Sequence, residues 1–439
     1  MPKGAFDFHT LEEVRACAQA LGVSLPLRED VAILSTPVTL AGRTLPNRLA
    51  IQPMEGCDGT PDGRPGELTY RRYRRFARSG AALLWAEATA VVPEGRANPR
   101  QLWLTAGNVS DFARLAAAIK ADCQAQWGFE PLLLLQATHS GRYRRPEGAP
   151  APLVAQRNPS LESGGVTPRV LTDDELAALP EAYAATARLA QQAGFDGVDV
   201  KCCHGYLLNE LMGAFTRPGK YGGDLAGRTR LYFDAIRAAQ AAVSGRFIVT
   251  SRLNLYDGFA RPYGFGASID TAEMDLTEPL EVVGCLHQAL GLPLLDITMG
   301  NPYANPHVNR PYNAGGYAPP EHPLCGVARM MNATLRLKAA YPSLALIGSG
   351  LSFLRQYAAP AAAGLVAGGV DMAGFGRMAF AYPDFAADLL QRGALEPKRC
   401  CLTCGKCTHL MRGGSPAGCP VFDRETYLPL YRALPEADA

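Results

Sequence analysis

Six consecutive residues, Lys201-Cys202-Cys203-His204-Gly205-Tyr206, place an amine, two thiols, an imidazole and a phenol directly after the apolar run Gly197-Val198-Asp199-Val200. A strand that only had to turn would be expected to end in Gly, Asn, Asp or Ser. These side chains can instead donate protons or polarise a carbonyl, and a lysine at such a place can attack one, as in Schiff-base lyases. A second group lies far along the chain. Five of the twelve cysteines fall between residues 400 and 419, and four of them are spaced Cys401-x₂-Cys404-x₂-Cys407-x₁₁-Cys419. Four thiolates so spaced suit a [4Fe–4S] cluster or a tetrahedral zinc, and the Cys-x₂-Cys-x₂-Cys run with a later Cys-Pro favours the cluster. Cys400 could replace Cys401, and thiols without metal are the remaining alternative.

Groups so far apart in sequence need a scaffold to become a site. From residue 47 onward, short apolar runs alternate with helical stretches: 48–51, 82–85, 132–135, 198–200, 247–250, 294–297, 344–347 and 372–375. The gaps between them hold a crossover helix each, and sometimes an excursion. Eight such runs, apolar almost throughout, predict an α/β fold of the closed (β/α)₈ TIM-barrel type, with a doubly wound open sheet as the structural alternative. Thr10 with Glu13 marks the start of a helix within 7–22, and 38–40 and 43–45 flank Ala41-Gly42 as a hairpin closing one barrel end. The expected division is an N-terminal extension over 1–34, the barrel over 35–392 and a cysteine-rich segment over 393–439.

Barrel chemistry sits at the carboxyl ends of the strands. Those positions carry Gln52-Pro53-Met54-Glu55, Glu87-Ala88-Thr89, Gln136, Lys201 to Tyr206, Arg252, Ser349-Gly350 and Gly376-Arg377. Glycines after the last two strands let backbone N–H groups approach a phosphate, and the helices behind them add a favourable dipole. A bare turn would also explain Gly348-Ser349-Gly350. Lys201 has its own bland explanation, an ion pair with Glu55 or Glu87, and Cys202 and Cys203 are expected to be packing residues.

Composition excludes several classes of partner. Hydrophobic residues make up 48% and charged ones 19%, and the net charge of +2 is small for 439 residues. No basic stripe interleaved with aromatics suggests nucleic acid, and no apolar run reaches membrane-spanning length. With no signal-peptide pattern at the N-terminus, the expected location is the cytoplasm.

Over about residues 35–390 the chain resembles the old yellow enzyme family of flavoproteins, especially its branch of bacterial 2,4-dienoyl-CoA reductases. The resemblance is carried by Asn47-Arg48…Pro53-Met54, Glu87-Ala88…Pro93-Glu94-Gly95-Arg96, Gln136…His139-Ser140-Gly141-Arg142, Ala193-Gly194-Phe195-Asp196-Gly197-Val198, Gly205-Tyr206-Leu207-Leu208, Tyr221-Gly222-Gly223 and Phe375-Gly376-Arg377…Pro383-Asp384. It implies an FMN-dependent ene-reductase using NAD(P)H and acting on an enone or enoyl compound. By the same resemblance Gln136 pairs with the flavin's pyrimidine edge and Arg252 stands near N1 and O2. Pro53, Met54, Glu55 and Ala88 lie against the ring, and Ser349, Gly350, Gly376 and Arg377 hold the phosphate.

In that frame Tyr206 matches the family's proton donor and His204 its second carbonyl donor, while Lys201 replaces the first. Glu55 departs from the family too, standing where a Thr or Cys is common, and Lys201 is its expected partner. His307, in the loop after the sixth strand, is expected to reach the substrate. The dienoyl-CoA reductase branch carries an iron–sulfur cluster directly after the barrel, usually with one more residue between its second and third ligands. Long members continue into FAD- and NAD(P)H-binding domains. No Gly-x-Gly-x-x-Gly follows residue 419 here. The electrons are therefore expected from a redox partner protein or directly from NAD(P)H. A non-catalytic electron-transfer subunit is the alternative from another class.

Overall fold

The computed structural model describes residues 6–162, 165–312 and 317–435. All eight apolar runs become strands of one closed barrel, which removes the open-sheet alternative. After a hairpin of β1 (Val38–Leu40) and β2 (Arg43–Leu45) come β3 (Leu49–Ile51), β4 (Leu83–Ala90) and β5 (Leu132–Thr138). A short pair, β6 (Leu153–Val154) and β7 (Arg169–Val170), stands outside the barrel. The barrel resumes with β8 (Gly197–Val200), β9 (Ile248–Asn254), β10 (Leu294–Thr298), β11 (Ala345–Gly348) and β12 (Met372–Phe375). β12 pairs with β3, and every neighbouring barrel pair is parallel.

The closed end follows from the hairpin's alternation. Val38, Leu40 and Leu45 pack in one apolar cluster with inward side chains such as Leu83, Trp85, Leu132, Leu134, Leu294 and Ile347. Each fully buried aliphatic side chain contributes roughly 1.5–3 kcal/mol, so this end is a plug. A larger cluster joins the outer barrel surface to the helices and takes in Leu395, Cys400 and Cys401. The start of the cysteine-rich segment is thus continuous with the barrel core. Thr10 accepts a hydrogen bond from the Glu13 N–H and caps the helix Leu11–Ala20, as its sequence predicts.

Three strands run further than the apolar runs suggest. Glu87, Ala88, Gln136 and Arg252 lie inside β4, β5 and β9 rather than after them. Apolar character ends where the plug ends, but backbone pairing continues into the open mouth, where buried polar groups find partners on adjacent strands. The register of β4 slips between Ala86 and Ala88, so Glu87 is the unpaired residue of a bulge, a device that re-aims a side chain. No helix among the described residues is long and apolar enough to cross a membrane.

Candidate active site

Above the plug the barrel interior turns polar, and two buried aspartates organise it. Asp199, in the middle of β8, accepts hydrogen bonds from Trp85 Nε1 at 3.0 Å, Gln136 Nε2 at 2.6 Å and the Arg252 N–H at 2.7 Å. Asp296 on β10 accepts from Gln52 Nε2 at 2.8 Å and pairs with Arg252 Nε at 2.9 Å. The guanidinium of Arg252 also donates to the Pro53 carbonyl at 3.3 Å. Burial pushes Asp199 up to about 7, against the pull of Gln136 and the Arg252 N–H, and Asp296 up to about 6, against Arg252. Gln136 and Arg252 are therefore held in place before any ligand arrives.

The strip after β8 turns sharply to bring its side chains to this floor. His204 and Gly205 both take left-handed backbone, at φ 67° and 72°. The Gly205 N–H donates to Asn209 Oδ1, and a β-carbon at Gly205 would stand 2.2 Å from Asn301 Nδ2, which explains the glycine. Tyr206 then caps the helix Leu207–Met212. His204 Nε2 lies 3.2 Å from Thr298 Oγ1, and burial together with Arg252 keeps its pKa far below the usual value, so the imidazole is neutral. The Lys201 ammonium sits 3.6 Å over the Tyr206 ring, a cation–π contact.

That placement leaves Lys201 without a direct ion pair to Glu87 or Glu55, although its charge still acts on the Glu55 carboxyl. No carboxylate among the described residues lies within 4 Å of its ammonium. Glu87 is instead bound to Arg72, which it shares with Asp58 in a buried triad. Glu55 accepts at Oε2 from the Tyr206 hydroxyl at 3.2 Å, and its Oε1 is shut off from solvent with no hydrogen-bond partner. Burial pushes the Glu55 carboxyl up, while Lys201 and the Tyr206 hydroxyl pull the other way. Cys202 and Cys203 are fully buried.

Lys201, His204, Tyr206, Pro53, Met54, Glu55, Ala88, Gln136, Arg252, Ser349, Gly350, Gly376 and Arg377 all line one cavity at the barrel mouth, with about 1080 Å³ of empty space. Gly350 has φ 87° after β11, a conformation that opens the chain where Ser349 and Gly350 turn into the next helix. The cavity's cations suit a phosphate. Arg377 and Arg310 find backbone carbonyls, those of Pro311 and Pro302, and no carboxylate among the described residues. The donors, the paired Arg252 and these two guanidiniums fit FMN.

His307 does not line this cavity. It is half-buried and hydrogen-bonded to Tyr317. The loop after β10 contributes Tyr303 and Arg310 instead. Sequence reasoning missed these two, along with the aspartates of the floor. A charged residue inside an apolar strand, as in Leu294-Leu295-Asp296-Ile297, was the available sign, because a buried carboxylate requires partners. Arg310 gave none.

The tail closes over one side of the mouth. Cys401, Cys404, Cys407 and Cys419 surround a small cavity of about 350 Å³, and Cys407, Arg377 and Phe380 form a wall shared with the large one. Among the described residues no three His, Cys, Asp or Glu side chains are arranged to hold a single metal ion. The Thr403 N–H donates to Cys401 Sγ at 3.4 Å, and burial pushes the Cys401 thiol up to about 12.

The model of the NADH:flavin oxidoreductase / NADH oxidase family matches residues 34–284. An NADPH dehydrogenase of Bacillus pumilus is 27% identical over 273 residues, 61% of this chain and 73% of that protein. Among solved structures, 2-naphthoyl-CoA reductase in complex with 2-naphthoyl-CoA has a TM-score of 0.71 at 19% identity and covers 90% of this chain. This chain spans only 57% of that one. An old yellow enzyme homologue from Zymomonas mobilis gives a TM-score of 0.62 at 21% identity, covering 83% of this chain and 94% of its own.

Proposed function

Because the chain belongs to the NADH:flavin oxidoreductase / NADH oxidase family, the old yellow enzymes, we propose that it reduces the alkene of α,β-unsaturated carbonyl compounds. It is a flavin-dependent oxidoreductase, with FMN as resident cofactor and NAD(P)H as donor. One observation carries the substrate class: Lys201, His204 and Tyr206 share a single cavity with Gln136, Arg252 and Arg377.

FMN, when bound, would supply the hydride for the alkene's β-carbon. Everything else falls to this chain's side chains. Gln136 and Arg252 hold and orient the pyrimidine side of the cofactor, and Arg377 with Arg310 holds its phosphate. His204 and Lys201 grip the substrate's carbonyl oxygen, where negative charge develops, and donors already in place favour the transition state. Tyr206 gives its proton to the α-carbon. The family match lends no support to a lyase built on Lys201.

For the tail we propose a [4Fe–4S] cluster on Cys401, Cys404, Cys407 and Cys419. What supports this reading is the spacing Cys401-x₂-Cys404-x₂-Cys407 with a later Cys419-Pro420, and the lining of one small cavity by all four cysteines. The shared wall at Cys407 would bring such a cluster beside the flavin site, so a redox partner protein could supply electrons there.

An absorption spectrum before and after anaerobic NAD(P)H reports flavin, cluster and donor together. Tyr206→Phe should lower enone turnover by about 10²–10⁴-fold while NAD(P)H still bleaches the flavin. Undiminished enone reduction in this variant would sink the ene-reductase reading.

A further inference from the structure

Proton supply to Tyr206 poses a problem that the mouth alone does not solve. Tyr206 is 2% exposed, and burial pushes its phenol well above the ordinary value, so a phenolate left behind after each turnover is costly. Its hydroxyl has two polar neighbours, Glu55 Oε2 at 3.2 Å and the Tyr303 hydroxyl at 3.0 Å. Lys201 sits over the ring face and steadies the phenolate without being placed on the hydroxyl. Tyr303 is a poor source, because burial pushes its own phenol up and its ring is stacked 3.8 Å from that of Tyr143.

Glu55 differs from both. It stands in the wall between the mouth cavity and a second, outer cavity of about 2060 Å³ bounded by the excursion carrying β6 and by residues 411–414 of the tail. Its position is fixed from two sides. The Gly56 N–H donates to Glu87 Oε2 at 2.6 Å, and the Gly56 carbonyl accepts from the Ala417 N–H of the tail, also at 2.6 Å. No side chain fits at residue 56, where a β-carbon would meet the Arg72 guanidinium at 2.0 Å. The barrel bulge and the tail together aim this carboxyl at Tyr206 and leave its second oxygen unpartnered.

We propose that Glu55 reloads Tyr206 with a proton after each turnover and recovers its own from water that the outer cavity admits to its buried, unpartnered Oε1, an inference that rests on the ene-reductase reading. One proton moves and no electrons do. The O–H bond of the Glu55 carboxyl breaks as the Tyr206 O–H bond forms, and a water-borne proton restores the carboxyl. The titratable groups facing Glu55 are Lys201, Tyr206, Tyr303 and Cys57. Burial keeps the carboxyl protonated to higher pH than a free glutamate, whose pKa is about 4.3. The relay is thus loaded at low pH and empties as pH rises through the shifted value.

Rapid-mixing and steady-state kinetics of the FMN-loaded enzyme with an enone, under conditions where the enone step limits, separate the possibilities. Glu55→Gln should cut steady-state kcat about tenfold, the first turnover falling less because Tyr206 begins protonated. The decline of kcat with rising pH should vanish in this variant, the solvent isotope effect on later turnovers should grow, and Glu55→Asp should recover part of the rate. Equal losses in the first and later turnovers, or an unchanged pH profile, would overturn the relay. A Tyr206→Phe enzyme with normal enone turnover would instead overturn the function on which it rests.

Discussion

The barrel mouth and the cysteine tail each gather reactive groups around a cavity, and they do so by opposite means. At the mouth three working side chains are braced from barrel strands: Gln136 by Asp199, Arg252 by Asp296, His204 by Thr298. Parallel register sets these pairs, so the groups are in place when the strands are. In the tail the thiols sit on a turn with left-handed Thr403 and Gly405 and on the seven-residue helix Lys406–Arg412. That segment is held to the barrel by the apolar contacts of Leu395, Cys400 and Cys401, by the Ala417 N–H on the Gly56 carbonyl and by Asp423 with Arg71 and Arg75. The mouth is organised by the fold, and the tail by docking and by whatever its thiols bind.

The sharpest way to break the contrast is to remove a brace from the mouth. Arg252→Ala leaves Asp296 buried with Gln52 alone, and losing one partner of a buried pair costs about 3–5 kcal/mol. Urea unfolding should show that loss, and FMN should be held more weakly. The pH dependence has a definite sign. Asp296, already pushed up to about 6, rises further without Arg252, so the variant regains stability as pH falls and the carboxyl protonates. A loss under 1 kcal/mol, flat with pH, would mean the mouth is not built on these pairs.

The matching change in the tail should stay local. Cys404→Ser should abolish bound iron and acid-labile sulfide in anaerobically purified protein while FMN content holds. The flavin's donors come from the barrel, and Cys404 is absent from the large cavity's wall. Flavin lost together with iron would show that the tail organises the mouth as well, and the comparison would fail.

The same difference explains what the sequence could disclose. Eight apolar runs were readable because a barrel buries strands on both faces, and the Lys201 to Tyr206 strip stood out because its groups are out of place at a turn. Gln136 and Arg252 were findable by position, but their bracing was not. Strand pairing brings Asp199 to Gln136, and no local pattern encodes a partner 63 residues away. The bland alternative for Lys201, an ion pair with Glu87, was unreadable for a related reason. Glu87 looked available from its place at a strand end, whereas the bulge in β4 turns it outward to Arg72. The loop after β10 misled most, since His307 has the chemistry but Tyr303 and Arg310 have the location.

The smallest expected effect concerns the weakest brace at the mouth. Thr298 Oγ1 accepts from Asn309 Nδ2 at 3.3 Å and is hydrogen-bonded to His204 Nε2 at 3.2 Å. Whichever of the two donates, that bond holds the imidazole plane in one orientation at the mouth. Thr298→Val keeps the shape and removes the bond, worth about 1 kcal/mol, so kcat/KM for an enone should fall roughly fivefold. His204 is neutral well below pH 6.5, so this loss should be the same from acid to alkaline pH. A loss that grew with pH would belong to Glu55 and Tyr206, and would show that His204 orientation does not depend on its strand neighbour.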